Sequence, residues 1–228
     1  MRPAQSIALI ALVLLLSAAS APAFEIGQID NFQDGTLQSW NNGEGSSAPP
    51  VLNIDTGGPA GAGDHFLQLT ADGNGAGNRL TVFNRAQWIG DYIGAGLTAI
   101  ELDLRNQGSV TLHIRLAFKD LGGPNAPGYL TAASFTLLPG SGWQHAVFLV
   151  NPGSMLARGG PTPFNVFFAG AFGEFRIINE LGTNNLNGDI VVGQLGVDNI
   201  HAIPEPTVAS LTAAGMLAVI ALRGRKRD

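Results

Sequence analysis

The central part of the sequence, residues 24–203, predicts an all-β protein built as an antiparallel β-sandwich. Apolar residues recur there at every second position, which is the period of a strand and not of a helix. The strand candidates are short, and the turns between them are rich in glycine and proline, of which the chain has 31 and 13. The sequence of this part shows no long amphipathic helical pattern. Short strands joined by such turns are typical of two packed antiparallel sheets.

Two neighbouring strands carry the clearest alternation. In the first, the inward residues are Ile100, Leu102 and Leu104, and the outward residues are Glu101, Asp103 and Arg105. In the second, the inward residues are Leu112, Ile114, Leu116 and Phe118, and the outward residues are Thr111, His113, Arg115 and Lys119. The intervening Gln107-Gly108-Ser109 predicts a short hairpin loop. This hairpin would place Glu101 opposite Arg115 and Asp103 opposite His113, so that opposite charges pair across the strands.

Further segments have the length and composition of strands. They are residues 66–70, 80–83, 133–138, 144–150, 165–168, 174–178 and 195–202. The stretches 57–63, 72–77, 122–128 and 152–163 are rich in glycine or proline and predict loops.

The end of the chain, residues 204–228, forms a separate segment with three parts. Pro204-Glu205-Pro206 comes first, an uncharged apolar run follows at residues 207–222, and the basic residues Arg223, Arg225, Lys226 and Arg227 come last. As a helix, the run would be roughly 24 Å long, against about 30 Å for the hydrocarbon core of a bilayer. Because Lys and Arg beside an apolar segment stay on the cytoplasmic side, we expect a single transmembrane helix with the preceding chain outside.

The start of the chain predicts the same topology. Met1-Arg2 is a short basic region, residues 7–16 are apolar, and Ala21-Pro22-Ala23 fits a cleavage site with small residues at its first and third positions. This pattern is typical of a secretory signal peptide at residues 1–23. The mature chain would then begin at Phe24, and the domain would occupy residues 24–203.

The three-part end resembles the PEP-CTERM sorting signal of Gram-negative bacteria that make exopolysaccharide. The resemblance covers residues 204–228 and is carried by the Pro-Glu-Pro box, the short apolar stretch and the Arg-rich terminus, in that order. It implies an inner-membrane anchored precursor that an exosortase-type membrane protease cleaves near the box. The protein would then reach the cell surface or the extracellular matrix. The alternative is a plain C-terminal membrane anchor.

The composition of the domain excludes one class of binding partner and one way of stabilising the fold. Residues 24–203 hold seven Lys and Arg and fifteen Asp and Glu, a net charge of −8. Such an acidic surface does not suit the phosphate backbone of nucleic acids. The chain has no cysteine, so the domain depends on its core, or on its core and a metal ion, and not on disulfides.

A second resemblance extends over the domain. Short motifs follow the layout of jelly-roll carbohydrate-binding modules with a galactose-binding-like sandwich: residues 30–35, Trp40, residues 63–69, residues 142–144 and residues 197–200. The resemblance implies a jelly roll of two sheets, often with a structural calcium ion near the N-terminal loop and the last strand. Many members bind sugar on the concave sheet or in loops at one edge, and others serve as cell-surface modules.

Four aspartates of these motifs are candidate calcium ligands, because calcium takes six to eight oxygen ligands. They are Asp30, Asp34, Asp64 and Asp198. The alternative is that each aspartate stabilises a local turn or loop.

Candidate sugar ligands lie on the outward face of the predicted hairpin and in nearby loops. Aromatic rings stack on sugar C–H surfaces while polar side chains bind hydroxyls. The candidates are His113 and Arg115, flanked by Lys119, Glu101 and Asp103, and the aromatic residues Trp88, Tyr92 and Tyr129. The alternative is a solvated strand face, with Trp88 and Trp143 closing the edges of the sandwich.

The sequence contains no local signature of catalysis. It has no Gly-x-Ser-x-Gly motif, no cysteine nucleophile and no phosphate-binding loop, and its four histidines are isolated. We therefore expect an exported, non-enzymatic protein of the cell surface or matrix. The alternatives are a carbohydrate-binding module that retains matrix polysaccharide, or a polysaccharide hydrolase whose acidic residues come from distant strands.

Overall fold

The computed structural model describes residues 24–43, 47–75, 78–123, 125–160, 162–170 and 172–205. The predicted signal peptide and the apolar and basic parts of the sorting segment lie outside these residues. Pro204 ends the last strand, and the backbone N–H of Glu205 donates to the carbonyl of Gly96. No helix in the described part of the chain has the length and the apolar composition needed to span a bilayer.

Two antiparallel sheets contain all the described strands, which confirms the predicted sandwich. Sheet A has the order β10-β6-β13-β4-β3, with β1 paired to β13. Its strands are β1 (Ile29–Asp30), β3 (Leu52–Ile54), β4 (Phe66–Asp72), β6 (Leu97–Asn106), β10 (Gln144–Leu149) and β13 (Val192–Pro204). Sheet B has the order β11-β8-β7-β12-β5-β2, with β9 paired to β7. Its strands are β2 (Trp40–Asn41), β5 (Thr81–Asn84), β7 (Leu112–Lys119), β8 (Gly128–Thr131), β9 (Phe135–Leu137), β11 (Met155–Arg158) and β12 (Glu174–Asn179).

The core lies between the two sheets and is filled by the inward residues of each strand. The predicted inward residues of β6 and β7 are fully buried: Ile100, Leu102, Leu104, Leu112, Ile114, Leu116 and Phe118. Aromatic rings fill one end of the core, where Phe118 stacks on Phe175 with centroids 5.0 Å apart. Each large apolar side chain removed from water stabilises the fold by about 1.5–3 kcal/mol.

The predicted hairpin between β6 and β7 is wrong, because the two strands lie in different sheets. Glu101 is paired with Val147 and His201, whereas Arg115 is paired with Ile178. The side chain of Asn106 donates to the carbonyls of Val110 (2.7 Å) and Leu137 (3.1 Å). These bonds hold an arch that carries the chain from one sheet to the other.

The predicted strand at residues 165–168 is also wrong, because this segment is the short helix α1 (Phe164–Ala169). Phe164, Phe167 and Phe168 have the spacing of one helical face, and they pack on the core around Tyr129. β11 lies within residues 152–163, which were predicted to be a loop, and β8, which begins at the last residue of the predicted loop 122–128, was not predicted as a strand. They form the outer edge of sheet B, where short strands carry little periodic signal.

Candidate functional site

Asp30 and Asp34, two of the candidate calcium ligands, have other partners. Asp30 is 5% exposed, and its Oδ2 accepts hydrogen bonds from the indole N–H groups of Trp40 and Trp88, both at 2.7 Å. A third bond comes from Gln87 Nε2 at 3.0 Å. Asp34 is exposed and accepts from the backbone N–H and the hydroxyl of Thr36. Asp30 therefore organises the core, and Asp34 forms a turn.

Asp64 and Asp198 have separate hydrogen-bond partners and do not belong to a larger acidic cluster in the described residues. Asp64 accepts from Gln33 Nε2 and from the backbone N–H of Ala60, both at 2.6 Å. Asp198 is fully buried, and its Oδ1 accepts from the backbone N–H of Asn199 at 2.7 Å. Within the described ranges, no group of three or more acidic or histidine side chains could hold an ion. The structure therefore does not bring the four aspartates together as one cluster.

Asp198 makes the stability of the protein depend on pH. Its pKa is raised to about 7, mainly by burial and also by the charges of Asp64 and Asp103, against the opposing effect of the hydrogen bond from the backbone N–H of Asn199. The pKa of Asp198 in the unfolded chain is near 3.8. Between pH values of about 4 and about 7, Asp198 is therefore protonated in the folded protein and ionised in the unfolded chain. The contribution of Asp198 to the free energy of unfolding should therefore fall as the pH rises from about 4 to about 7, and stay constant above that.

We expect the substitution Asp198→Asn to raise the free energy of unfolding at pH 8 and to change it little at pH 4. Urea unfolding of variant and wild type at both values measures the difference, in which the titration of other groups cancels. An equal difference at the two pH values would show that Asp198 does not titrate in this range.

Most of the predicted sugar ligands are buried, so the prediction that they form an exposed binding face is wrong. Trp88 and Tyr92 lie in the core at 0% and 1% exposure, because their rings pack with Phe24 and Phe175. Tyr129 is 6% exposed and its hydroxyl donates to the carbonyl of Thr162 at 2.7 Å.

The polar members of that predicted face are also engaged. Arg115 is 5% exposed and donates to the carbonyls of Glu180, Thr131 and Ala132 at 3.0, 2.7 and 2.7 Å. His113 is half-buried, with Nδ1 3.3 Å from the hydroxyl of Thr136. The face therefore lacks the free aromatic and polar groups that were predicted there.

The outward face of sheet B nevertheless has an open half. Strand register aligns side chains across the sheet in two rows. One row contains Gly128, Lys119 and Glu174; the other contains Leu156, Leu130, Ala117, Arg176, Phe83 and Asn41. Leu186 covers the apolar side by packing with Ala117, Leu130 and Ile178. The side toward β5 and β2 remains open, and we call it the open half of sheet B.

An open cavity of about 700 Å³ lies at this open half, lined by Asn41, Gly43, Phe83 and Arg85. The guanidinium carbon of Arg85 lies 4.4 Å from the centroid of the Phe83 ring, and the Arg85 side chain is 51% exposed. Gly43 has φ +99°, and a Cβ at this position would lie 3.6 Å from the ring. Glycine thus lets the backbone form the wall of the cavity beside the aromatic ring.

A buried carboxylate organises the charges next to the cavity. Glu174 is 2% exposed, and its Oε2 accepts from Arg85 Nε at 3.1 Å and NH2 at 3.0 Å. Its Oε1 accepts from Arg176 Nε at 2.8 Å and also from NH2 of the same residue. Burial lowers the pKa of Arg176, and the charge of Glu174 opposes that effect. The two guanidinium groups are therefore held in fixed positions.

The outward face of sheet A is more closed, because its charged groups bind one another. His145 lies 3.0 Å from Asp103 through Nδ1 and 3.4 Å from Glu101 through Nε2. His201 Nδ1 lies 2.9 Å from the second oxygen of Glu101. The hydrogen bond with Asp103 raises the pKa of His145 above its usual value. Trp143 covers Phe66 nearby and donates to the carbonyl of Gly57, in agreement with the alternative that it closes an edge.

The residues around the cavity were not identified from the sequence. Phe83 and Arg85 are two positions apart, as are Glu174 and Arg176, so each pair projects from one face of its strand. This period-two spacing was the available signal. The pairing of β5 with β12, which brings the two pairs together, joins residues about 90 positions apart in the chain.

No protein-family model and no curated protein matches the chain. Several solved structures do. One is the solution structure of the CtCBM11 carbohydrate-binding module, at 17% identity and a TM-score of 0.50, covering 80% of this chain and 98% of that chain. Another is an exo-β-agarase, at 10% identity and a TM-score of 0.54, covering 79% of this chain and 26% of that one.

A third is the family 11 carbohydrate-binding module from Clostridium thermocellum in complex with a β-1,3-1,4-mixed-linked tetrasaccharide. It is 18% identical, with a TM-score of 0.48, and the match covers 78% of this chain and 96% of that chain. This chain thus shares the two-sheet antiparallel β-sandwich fold of carbohydrate-binding modules, and it spans about a quarter of the agarase. Identities this low establish the fold alone.

Proposed function

We propose that the protein is an exported carbohydrate-binding module that retains polysaccharide at the cell surface or in the extracellular matrix and does not cleave it. The observation that carries the proposal is the cavity of about 700 Å³ on the outward face of sheet B. Its volume is in the range of small-molecule sites, about 300–1,000 Å³. The sandwich fold shared with carbohydrate-binding modules supports the same function.

The cavity offers the contacts that sugars use. Phe83 is 7% exposed, because Arg85 and Gly43 lie against its ring, so it gives the cavity a small apolar floor and not a stacking surface. Asn41 is an exposed residue at the rim. Arg85 uses its Nε and NH2 groups for Glu174, and a guanidinium has five N–H donors in all. The remaining donors can bind sugar hydroxyls. Because Glu174 holds the guanidinium in place, little side-chain entropy is lost on binding.

The route to the cell surface is part of the proposal and rests on the sequence. The signal peptide at residues 1–23 and the PEP-CTERM-like segment at residues 204–228 support export, membrane anchoring and cleavage by an exosortase-type protease. Mass spectrometry of the exported protein examines this route. Mature protein that still ends in Asp228 would contradict processing.

Binding assays with the substitution Arg85→Ala test the binding function. We expect the full chain to be retarded in gels that contain β-1,3-1,4-glucan, agarose or the producing organism's own exopolysaccharide. Arg85→Ala should weaken binding about tenfold, because it removes charged hydrogen-bond donors from the cavity. Arg176 still pairs with Glu174 in the variant, so the melting temperature should change little.

Arg158→Ala is the matched control. It removes the same charge from the same sheet, but Arg158 donates to carbonyls at the edge strand β11. If Arg85→Ala and Arg158→Ala weakened polysaccharide binding equally, the binding site would not be at the cavity. Failure of the wild-type chain to bind any of the polysaccharides would contradict the function itself.

A further inference from the structure

The cations of this acidic domain are concentrated on sheet B. Of its seven basic residues, five lie on strands of this sheet or directly beside them: Arg85, Arg115, Lys119, Arg158 and Arg176. The outward face of sheet A carries Glu101 and Asp103 together with the cation Arg105, and Asp198, which is paired with Asp103, is fully buried. The two faces of the sandwich therefore differ in the sign of their charge, although the net charge of the domain is −8.

The cations of sheet B are not all neutralised within the protein. Arg158 donates to backbone carbonyls, which bring no charge, and Arg115 also donates to carbonyls but interacts with the charge of Glu180. At the open half, Glu174 is the one carboxylate that pairs with Arg85 and Arg176 in the described part of the chain. Lys119 lies directly beside Glu174 in the strand register, so three cations surround a single carboxylate.

Lys119 is the least satisfied member of this group. Lys119 as a whole residue is 6% exposed. Within the described ranges its ammonium group makes neither a hydrogen bond nor an ion pair. Burial lowers the pKa of Lys119, the charges of Arg176 and Arg85 lower it further, and the charge of Glu174 opposes them. The ammonium group itself is not among the buried polar atoms that lack a hydrogen bond, so it is accessible from solvent. Together with Arg85 and Arg176 it gives this point an excess of positive charge over Glu174, which would attract an oxyanion.

The position of Lys119 fits a ligand that also occupies the cavity. Lys119 is on β7, and β12 separates this strand from β5, which carries Phe83. Two strand spacings are about 10 Å, a distance that an extended oligosaccharide can bridge. We propose that Lys119 and Arg85 bind the carboxylate or sulfate of an acidic sugar residue in a polysaccharide that lies across the open half of sheet B, and that Arg176, buried and bonded to Glu174, Leu186 and Asn187, contributes its charge only. This inference rests on the proposed function and names its substrate class.

Isothermal titration of the full chain with three oligosaccharides of similar length tests the proposal. Oligogalacturonate carries carboxylates, a dextran sulfate oligosaccharide carries sulfates, and a cello-oligosaccharide is neutral. We expect at least one acidic probe to bind about tenfold or more tightly than the neutral one, because charge-assisted hydrogen bonds are stronger than neutral ones. Comparison of the two acidic probes identifies the anion.

The substitution Lys119→Met keeps the apolar stem of the side chain and removes the charge. It should abolish the preference for the acidic probe and preserve the melting temperature. Arg105→Met is the control, since Arg105 is a half-buried cation on sheet A, and it should keep the preference.

The outcomes separate this inference from the proposed function. Equal binding of acidic and neutral probes overturns the acidic substrate class and leaves polysaccharide binding intact. An acidic preference that survives Lys119→Met, or that is lost equally in Arg105→Met, overturns the assigned site. Absence of binding to all three probes overturns the inference and counts against the function as well.

Discussion

Asp30→Ala is expected to lower the free energy of unfolding by about 4 kcal/mol. The carboxylate accepts hydrogen bonds from Trp40, Trp88 and Gln87, and both indole rings are essentially inaccessible to water. Alanine would leave two indole N–H groups buried without an acceptor, at about 1–3 kcal/mol each, and would open a small cavity. Urea unfolding followed by tryptophan fluorescence measures the loss directly.

Two further variants isolate the cause of that loss. Asp30→Asn keeps an oxygen that can accept from the indoles, so we expect a smaller loss than in Asp30→Ala. Asp34→Ala removes an exposed aspartate four positions away and should have little effect. If Asp30→Ala and Asp34→Ala had the same free energy of unfolding, the hydrogen bonds to the Asp30 carboxylate would not stabilise the fold, and the prediction would be wrong.

Arg115→Met should destabilise the protein by about 3 kcal/mol or more. Its guanidinium joins the carbonyls of Thr131 and Ala132, at the end of β8, to that of Glu180, which follows β12. Methionine replaces the apolar stem but leaves these buried acceptors without a donor, and each hydrogen bond to a charged group contributes about 1.5–3 kcal/mol. Thermal and urea unfolding measure the effect.

Arg158→Met provides the comparison for this prediction. It deletes the same charge from a side chain that is partly exposed at the edge of sheet B, so its effect should be smaller. If Arg115→Met kept the free energy of unfolding of the wild type but bound polysaccharide more weakly, Arg115 would be a sugar ligand, as the sequence predicted. That result would contradict its structural role.

The sequence predicted which face of a strand is buried better than it predicted the strand's partner. The alternation in β6 and β7 places the apolar side chains in the core as expected. Their pairing failed because a short Gly-containing connection fits both a hairpin and an arch between sheets. The complementary charges of Glu101 and Arg115 were compatible with the wrong pairing. In the structure, Glu101 meets His145 and His201, and Arg115 meets carbonyl groups.

The candidate site was harder to predict than the fold because it depends on long-range pairing. Tryptophan, tyrosine and arginine are common in sugar sites, but Trp88, Tyr92 and Arg115 serve the core and the loops of this protein. The open half of sheet B instead uses Phe83 and Arg85 from β5 beside Glu174 from β12. The sequence shows that each pair shares a strand face, and only the strand order shows that the pairs are neighbours.

Chemical-shift mapping tests the central claim most directly. The ¹⁵N-labelled protein is titrated with the oligosaccharide that binds most tightly, and the backbone amide shifts are followed. Binding at the open half of sheet B predicts that the largest changes cluster at Asn41, Gly43, Phe83 and Arg85, with small changes at Glu101, Asp103 and His145 on sheet A. Changes concentrated on sheet A, or none at saturating oligosaccharide, would contradict the account.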